Sequence, residues 1–285
     1  MWVVFAFCSA FFAGLTSILA KCGIKKTDSD VATAIRTVVV LTMSFLMTIV
    51  AGSLNEFKNL NTKSWIFLVL SGLATGASWL CYFKALQTGD VNKVVPVDKS
   101  SAVLAMILAF VFLNETITRL KCLCLTAIAA GTYMMIEKKS SLQTKEKGAW
   151  LLLAVLSALF AAASSILGKI GIDGVESNFG TFIRTGVVLV MSWFIVLAKG
   201  KGGKIKSVSL RELLFIVLSG IATGASWLCY FKALKDGQAS AVIAIDKLSI
   251  IVTVSFSYLV FKEKLTLKSF TGLILIVAGT LCMLI

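Results

Sequence analysis

Residues 71–87 read SGLATGASWLCYFKALQ and residues 219–235 read SGIATGASWLCYFKALK, with fifteen of seventeen positions identical at an offset of 148. The register continues without a gap along almost the whole chain: Lys21 maps onto Lys169, Arg36 onto Arg184, Asp98 onto Asp246, Lys99 onto Lys247 and Glu115 onto Glu263. The chain is therefore two copies of one unit, and what the unit is made of decides the fold.

The unit is apolar. Hydrophobic residues make up 58% of the 285, with one proline and no histidine, and the mean hydropathy is +0.93, a composition of the membrane class. Apolar stretches of spanning length fall near 2–20, 32–54, 65–87, 93–113, 119–136, 149–168, 179–198, 210–234, 239–261 and 266–285. Each can cross a hydrocarbon core, which takes about 20 helical residues. The stretches lack the alternation of barrel strands, and the short polar links leave no room for a soluble domain. We expect an all-α membrane protein of ten transmembrane helices. The first stretch has no basic segment of the kind that opens a secretory signal, and its counterpart at 149–168 lies mid-chain, so it should stay in the mature protein.

Composition also excludes other classes. The net charge of +14 is dispersed over the links between spans, which fits positive-inside topology rather than nucleic-acid binding. Cys81 and Cys229 are repeat equivalents inside apolar segments and read as small buried hydrophobes. Cys122 and Cys124 form only a C-x-C, without the further ligands a metal site needs, so no metal and no cofactor is expected. There is no histidine, G-x-S-x-G or P-loop to carry enzyme chemistry.

Five spans per copy is an odd number, so the second copy must enter the membrane upside down relative to the first. This divides the chain into 1–136, a linker at 137–148, and 149–285. Inverted repeats imply alternating access to one site. Discounting eight repeated basic residues at the spans, fifteen Lys and Arg lie opposite the termini and five on the terminus-facing side. That count places the links at 137–148 and 199–209 in the cytoplasm and both termini outside a plasma membrane.

Ionisable residues inside spans are costly unless paired or hydrated. Arg36 sits about four residues into its expected helix, and Asp98 and Lys99 about five into theirs, roughly 6 to 8 Å deep at 1.5 Å per residue. Topology gathers Lys21, Arg36, Lys84, Asp98, Lys99 and Glu263 at one mouth, and Lys169, Arg184, Lys232, Asp246, Lys247 and Glu115 at the other. The favoured pairs are Arg36 with Asp98 and Arg184 with Asp246. We expect Arg36, Asp98, Lys99, Arg184, Asp246 and Lys247 to act as gate or coupling-ion groups. The remaining six form the gate periphery, where helix pinning and snorkelling to headgroups are the plainer alternatives. Trp79, Tyr82 and Phe83 share one helix face, as do Trp227, Tyr230 and Phe231; the two stripes are either packing or the walls of a substrate chamber. Gly72 to Gly76 and Gly220 to Gly224 are G-x-x-x-G patterns that permit a close helix crossing.

The order Ala-Ser-Trp-Leu-Cys-Tyr-Phe-Lys-Ala-Leu, then Val-Pro-Val-Asp-Lys-Ser-Ser, then Asn-Glu-Thr-Ile-Thr, resembles the EamA repeat of the drug/metabolite transporter superfamily. The second copy reads AIDKLS and KEKLT. The resemblance covers essentially the full chain and implies a fused pair of five-helix units whose third and eighth spans border a central cavity. It also implies cytoplasmic termini, against the charge count. The expected function is secondary active transport of a small polar or aromatic metabolite across the bilayer, with the proton as a candidate coupling ion at Asp98 or Asp246. The alternative is an accessory or regulatory membrane subunit that keeps the fold without flux.

Overall fold

A computed structural model describes residues 1–24, 26–58, 60–113, 118–135, 149–262 and 265–282. The linker at 137–148, Glu115 and Glu263 lie outside the described residues, as does the side chain of Lys99. The first copy forms α1 (Trp2–Gly23), α2 (Ser29–Val50), α3 (Thr62–Thr88), α4 (Val91–Lys99), α5 (Ser101–Phe112) and α6 (Arg119–Met135). The second forms α7 (Ala149–Gly171), α8 (Ser177–Ala198), α9 (Leu210–Asp236), α10 (Ala239–Asp246), α11 (Ser249–Phe261) and α12 (Leu267–Cys282).

The described residues form helices and the links between them, and seven segments are long and apolar enough to cross a membrane: α1, α2, α3, α7, α8, α9 and the run Ala239–Phe261. Ten transmembrane helices are not shown among the described residues. The stretch at 93–113 is divided into α4, of nine residues, and α5, of twelve. The described parts of α6 and α12 are only seventeen and sixteen residues long.

Both copies break the same span just after the aspartate. The Ser100 amide bonds the Val97 carbonyl at 3.1 Å, and the Lys247 amide bonds the Ala244 carbonyl at 3.0 Å; these are i+3 bonds in place of i+4. Hydroxyls also take carbonyls at the break, Ser100 donating to the same Val97 O at 2.6 Å and Ser249 to Asp246 O at 2.5 Å. A freed backbone at membrane depth is tolerated where protein or a wet cavity can satisfy it.

Equivalent helices meet and run antiparallel. At one end of α2, Asp28 and Asp30 bind Lys199, Lys201 and Lys204, which follow α8. At its other end the Ser53 hydroxyl donates to Glu176, the N-cap of α8, at 3.2 Å. Likewise α6 and α12 cross with Gly131 against Gly272 and Cys124 against Gly279.

The two largest of the three buried clusters are largely repeat images of each other, the third being Val31, Ala34 and Val196. Ile18, Phe83, Leu86, Val94 and Ile216 belong to one, and their equivalents Ile166, Phe231, Leu234, Val242 and Leu68 to the other. Each cluster thus mixes both copies, and neither copy encloses its own core. Outside, Phe7, Phe11, Leu46, Val50, Ile66, Leu152, Phe194 and Leu197 are large, apolar and exposed. So wide an apolar surface suits lipid, not water.

Candidate substrate cavity

Hydroxyls at 71, 75 and 78 stand at i, i+4 and i+7 on α3, and their repeats at 219, 223 and 226 stand on α9. Such spacing lines one helix face. Ser71 and Ser78 of α3 donate to the Ser164 and Ser157 carbonyls of α7 at 2.7 and 3.1 Å. Ser219 and Ser226 of α9 donate to the Thr16 and Ser9 carbonyls of α1 at 3.1 and 3.0 Å. Helices from opposite copies are thereby stitched face to face. In α9 against α2 and in α3 against α8, glycines allow the close approach: a Cβ on Gly72 would fall 2.8 Å from Arg184 O, and one on Gly220 would fall 3.2 Å from Arg36 O.

Between these pairs lies a cavity of about 190 Å³, lined by equivalent residues of both copies. That is room for on the order of ten waters or a small metabolite. Trp79, Tyr82, Phe83, Trp227, Tyr230 and Phe231 all border it. The two indoles meet edge to face at its centre, 5.1 Å between centroids. Tyr82 and Tyr230 are held by Ser17 at 2.8 Å and Ser165 at 3.3 Å, so their rings are fixed as walls.

Arg36 and Arg184 also line the cavity and are 1% and 0% exposed. Because α2 begins at Ser29, Arg36 lies seven residues in, about 10 Å deep at 1.5 Å per residue, deeper than its apolar flank suggested. The expected carboxylate pairing is corrected. Arg36 donates through Nη2 to Thr223 at 2.5 Å and stacks on Phe83 at 3.9 Å and Trp79 at 5.5 Å. Arg184 donates to Ser71, Thr75 and Ser164 at 2.8 to 3.0 Å and stacks on Phe231 at 3.9 Å and Trp227 at 4.7 Å. No carboxylate bonds either guanidinium among the described residues. A buried unpaired charge costs several kcal/mol, and a cation–π contact returns only about 1 to 2, so hydroxyls and rings soften that cost without removing it.

The two aspartates line the same cavity in unlike settings. Asp98 accepts from Ser157 at 2.6 Å. Ser9, the repeat equivalent of Ser157, pairs with Ser226 at 3.2 Å as Ser157 does with Ser78 at 3.1 Å, and Asp246 has Lys247 at 3.8 Å. Lys247 is buried and borders the cavity too.

The peripheral lysines separate into two kinds. Lys21 donates to the carbonyls of Leu86 and Gly89, and Lys169 to those of Leu234 and Gly237, capping the C-terminal ends of α3 and α9. Lys84 bonds Gln87 at 3.1 Å at the exposed end of α3, and Lys232 pairs with Asp236 one turn on at 3.2 Å. Sequence reasoning missed the Ser/Thr set altogether; the repeated i, i+4, i+7 hydroxyls were the signal that could have found it.

The EamA-like transporter family model matches residues 1–137 and again 148–285. An uncharacterized transporter in the cobO 3' region of Sinorhizobium sp. is 46% identical over 132 residues, 46% of this chain and 94% of that protein, so it is about one repeat long. The uncharacterized transporter YxxF of Bacillus subtilis is 29% identical over 175 residues, 59% of this chain and 54% of that one. A crystal structure of 15% identity shares the fold with a TM-score of 0.73 over 98% of this chain and 94% of its own. With a family match over each copy and helices apolar enough to span a bilayer, the chain belongs to the EamA-like transporter family and is an integral, multi-pass membrane protein.

Proposed function

We propose that the chain is a secondary transporter of a small polar or aromatic metabolite, working by alternating access through ten spans arranged as two inverted five-span units. The observation that carries this is the central cavity, to which both copies contribute the same residue types at equivalent positions. Antiparallel contact of α2 with α8 and of α6 with α12 supports the inverted arrangement. Within it, α4 with α5 and α10 with α11 each make one broken span, ending at the cavity where the aspartates stand.

Near-symmetry supplies the mechanism. The first copy takes up the shape of the second and the second that of the first, so an opening on one side is exchanged for an opening on the other. Trp79 and Trp227, in contact at the centre, border the substrate in both states. Asp98 and Asp246 change partners as the mouths exchange: Ser157 holds the first here, and the same bond between Ser9 and Asp246 would form in the opposite state. A carboxylate that changes its donor in this way can load and release a coupling proton. The basic links at 199–209 face the cytoplasm of a plasma membrane, with both termini outside.

Counterflow into proteoliposomes tests the function. Protein reconstituted and preloaded with an unlabelled panel of amino acids, organic acids, amines and nucleosides should accumulate at least one labelled member above empty vesicles. Absence of flux across the whole panel, with correctly folded protein, would favour a non-transporting subunit.

A further inference from the structure

We propose that the substrates taken by this cavity are small organic carboxylates, and that in the conformation described here the carboxylate is received by Arg36. The inference rests on the transporter reading and names its substrate class. A guanidinium carries five N–H donors and accepts nothing. Arg184 engages Nε and Nη2 with Ser71, Thr75 and Ser164, which leaves Nη1 without a hydrogen-bond partner. Arg36 engages Nη2 with Thr223, while both Nε and Nη1 are buried and unpartnered among the described residues.

Sequence does not impose that difference, because the equivalents of Ser71, Thr75 and Ser164 are Ser219, Thr223 and Thr16. Conformation does. Hydroxyls bond one another and backbone around both arginines: Thr16 with Thr223 at 3.2 Å and Ser219 with Thr16 O at 3.1 Å, as Thr75 with Ser164 at 2.5 Å and Ser71 with Ser164 O at 2.7 Å. But Ser71 and Ser164 also accept from Arg184, while their equivalents Ser219 and Thr16 do not accept from Arg36. Arg36 is therefore the end of the cavity with donors to give.

Charge sets the class. Among the described residues Arg36, Arg184 and Lys247 line the cavity together with Asp98 and Asp246, three cations to two carboxylates, so one negative charge completes that set. A monoanionic carboxylate supplies it, and carboxylate oxygens are the acceptors a guanidinium binds best. A phosphate near charge −2 overshoots. A cavity of about 190 Å³ is far larger than a carboxylate group alone, and its Trp79, Trp227, Phe83 and Phe231 faces suit an apolar or aromatic body. When the repeats exchange shapes, Arg184 becomes the donor-rich end, and the anion is passed from one arginine to the other.

The test uses two isosteric series, 3-phenylpropionate with its amide and its amine analogue, and hexanoate with its amide and its amine analogue. Binding to the purified protein is read by tryptophan fluorescence and thermal shift at pH 7. At least one carboxylate should bind tenfold or more tightly than both of its analogues. Arg36→Gln should lose that affinity tenfold or more, Arg36→Lys should recover part of it, and Arg184→Gln should lose less than Arg36→Gln. The unliganded thermal transition of each variant checks its folding, and Arg36→Lys stands in if Arg36→Gln does not fold. Equal or tighter binding of an amide or amine, no binding of either carboxylate, or carboxylate affinity unchanged in the Arg36 variants would overturn the proposal. Counterflow of a neutral or cationic metabolite alongside any of these results would leave the transporter reading standing; no flux of any compound would remove both.

Discussion

Gly72 and Gly220 are repeat equivalents, yet the contacts they permit are not equally tight. A Cβ on Gly72 would meet Val187 Cβ at 2.7 Å and Arg184 O at 2.8 Å, whereas one on Gly220 would meet Val39 Cβ at 2.9 Å and Arg36 O at 3.2 Å. Neither a Cβ nor a carbonyl can rotate away, so Gly72→Ala must push α3 and α8 apart by about 0.7 Å to regain an ordinary contact of 3.4 Å. Overpacking of that kind costs about 1 to 3 kcal/mol, which at about 2 to 4 °C per kcal/mol for a large domain lowers the melting temperature by roughly 2 to 12 °C. Gly220→Ala should cost distinctly less. Gly186 lies in α8 with nothing within 4 Å of a built Cβ, so Gly186→Ala should hold or raise stability, since alanine is the better helix former. Thermal unfolding of the detergent-solubilised variants, followed by fluorescence, gives the three shifts. If Gly72→Ala melted with Gly186→Ala, the close crossing that seats Arg184 would be wrong.

The clasp between α2 and α8 predicts a pH profile. Burial pushes the Asp28 carboxyl up, but hydrogen bonds from Lys201, the Asp30 amide and Lys204 outweigh it and hold its pKa below the usual 3.8. Its stabilisation is therefore complete above about pH 4 and is lost as pH falls through the depressed folded value, a loss that Asp28→Asn should abolish in acid-unfolding curves. Burial lowers the Lys201 ammonium, yet Asp30 and Asp28 carry it above 10.5, so that contribution persists at neutral pH and fades only as pH rises through the raised value. Lys21→Met strips a charged donor from the Leu86 and Gly89 carbonyls and should destabilise by about 1.5 to 3 kcal/mol, measured by the same thermal scan; an unchanged transition would make the cap superfluous. Trp79→Ala and Trp227→Ala should weaken binding of a transported substrate with folding nearly intact, and unchanged affinity in both would return the indoles to packing.

The repeat made much of the architecture legible. A fixed offset and ten apolar stretches are local, one-dimensional signals, and they gave the all-helical membrane fold and the aromatic faces of α3 and α9. The break after Asp98 and Asp246 was hidden, because Ser100 and Ser249 look like ordinary residues of an apolar run until their hydroxyls are seen on the preceding carbonyls. Charge pairing failed for a different reason. Counting turns assigned Arg36 to a mouth beside Asp98, whereas α2 starts three residues earlier than its apolar stretch and the helix crossings turn Arg36 onto Phe83 and Thr223. Which helices cross is settled by glycines and serines meeting between copies, information that no single helix carries. Both arginines have hydroxyl residues at the equivalent positions, with Thr16 in place of Ser164 the one change among them, and the inequality belongs to one conformation of a near-symmetric molecule.

That exchange of conformations is the central claim, and spin-label distances at the two ends of α3 and α9 test it most directly. Labels at 63 and 236 report one mouth, and labels at the repeat equivalents 211 and 88 report the other. Asp98→Asn and Asp246→Asn should shift the two distances in opposite senses, one pair lengthening as the other shortens, with the roles of the pairs reversed between the variants. Both pairs lengthening together, or neither moving in either variant, would contradict alternating access by exchange of the repeats.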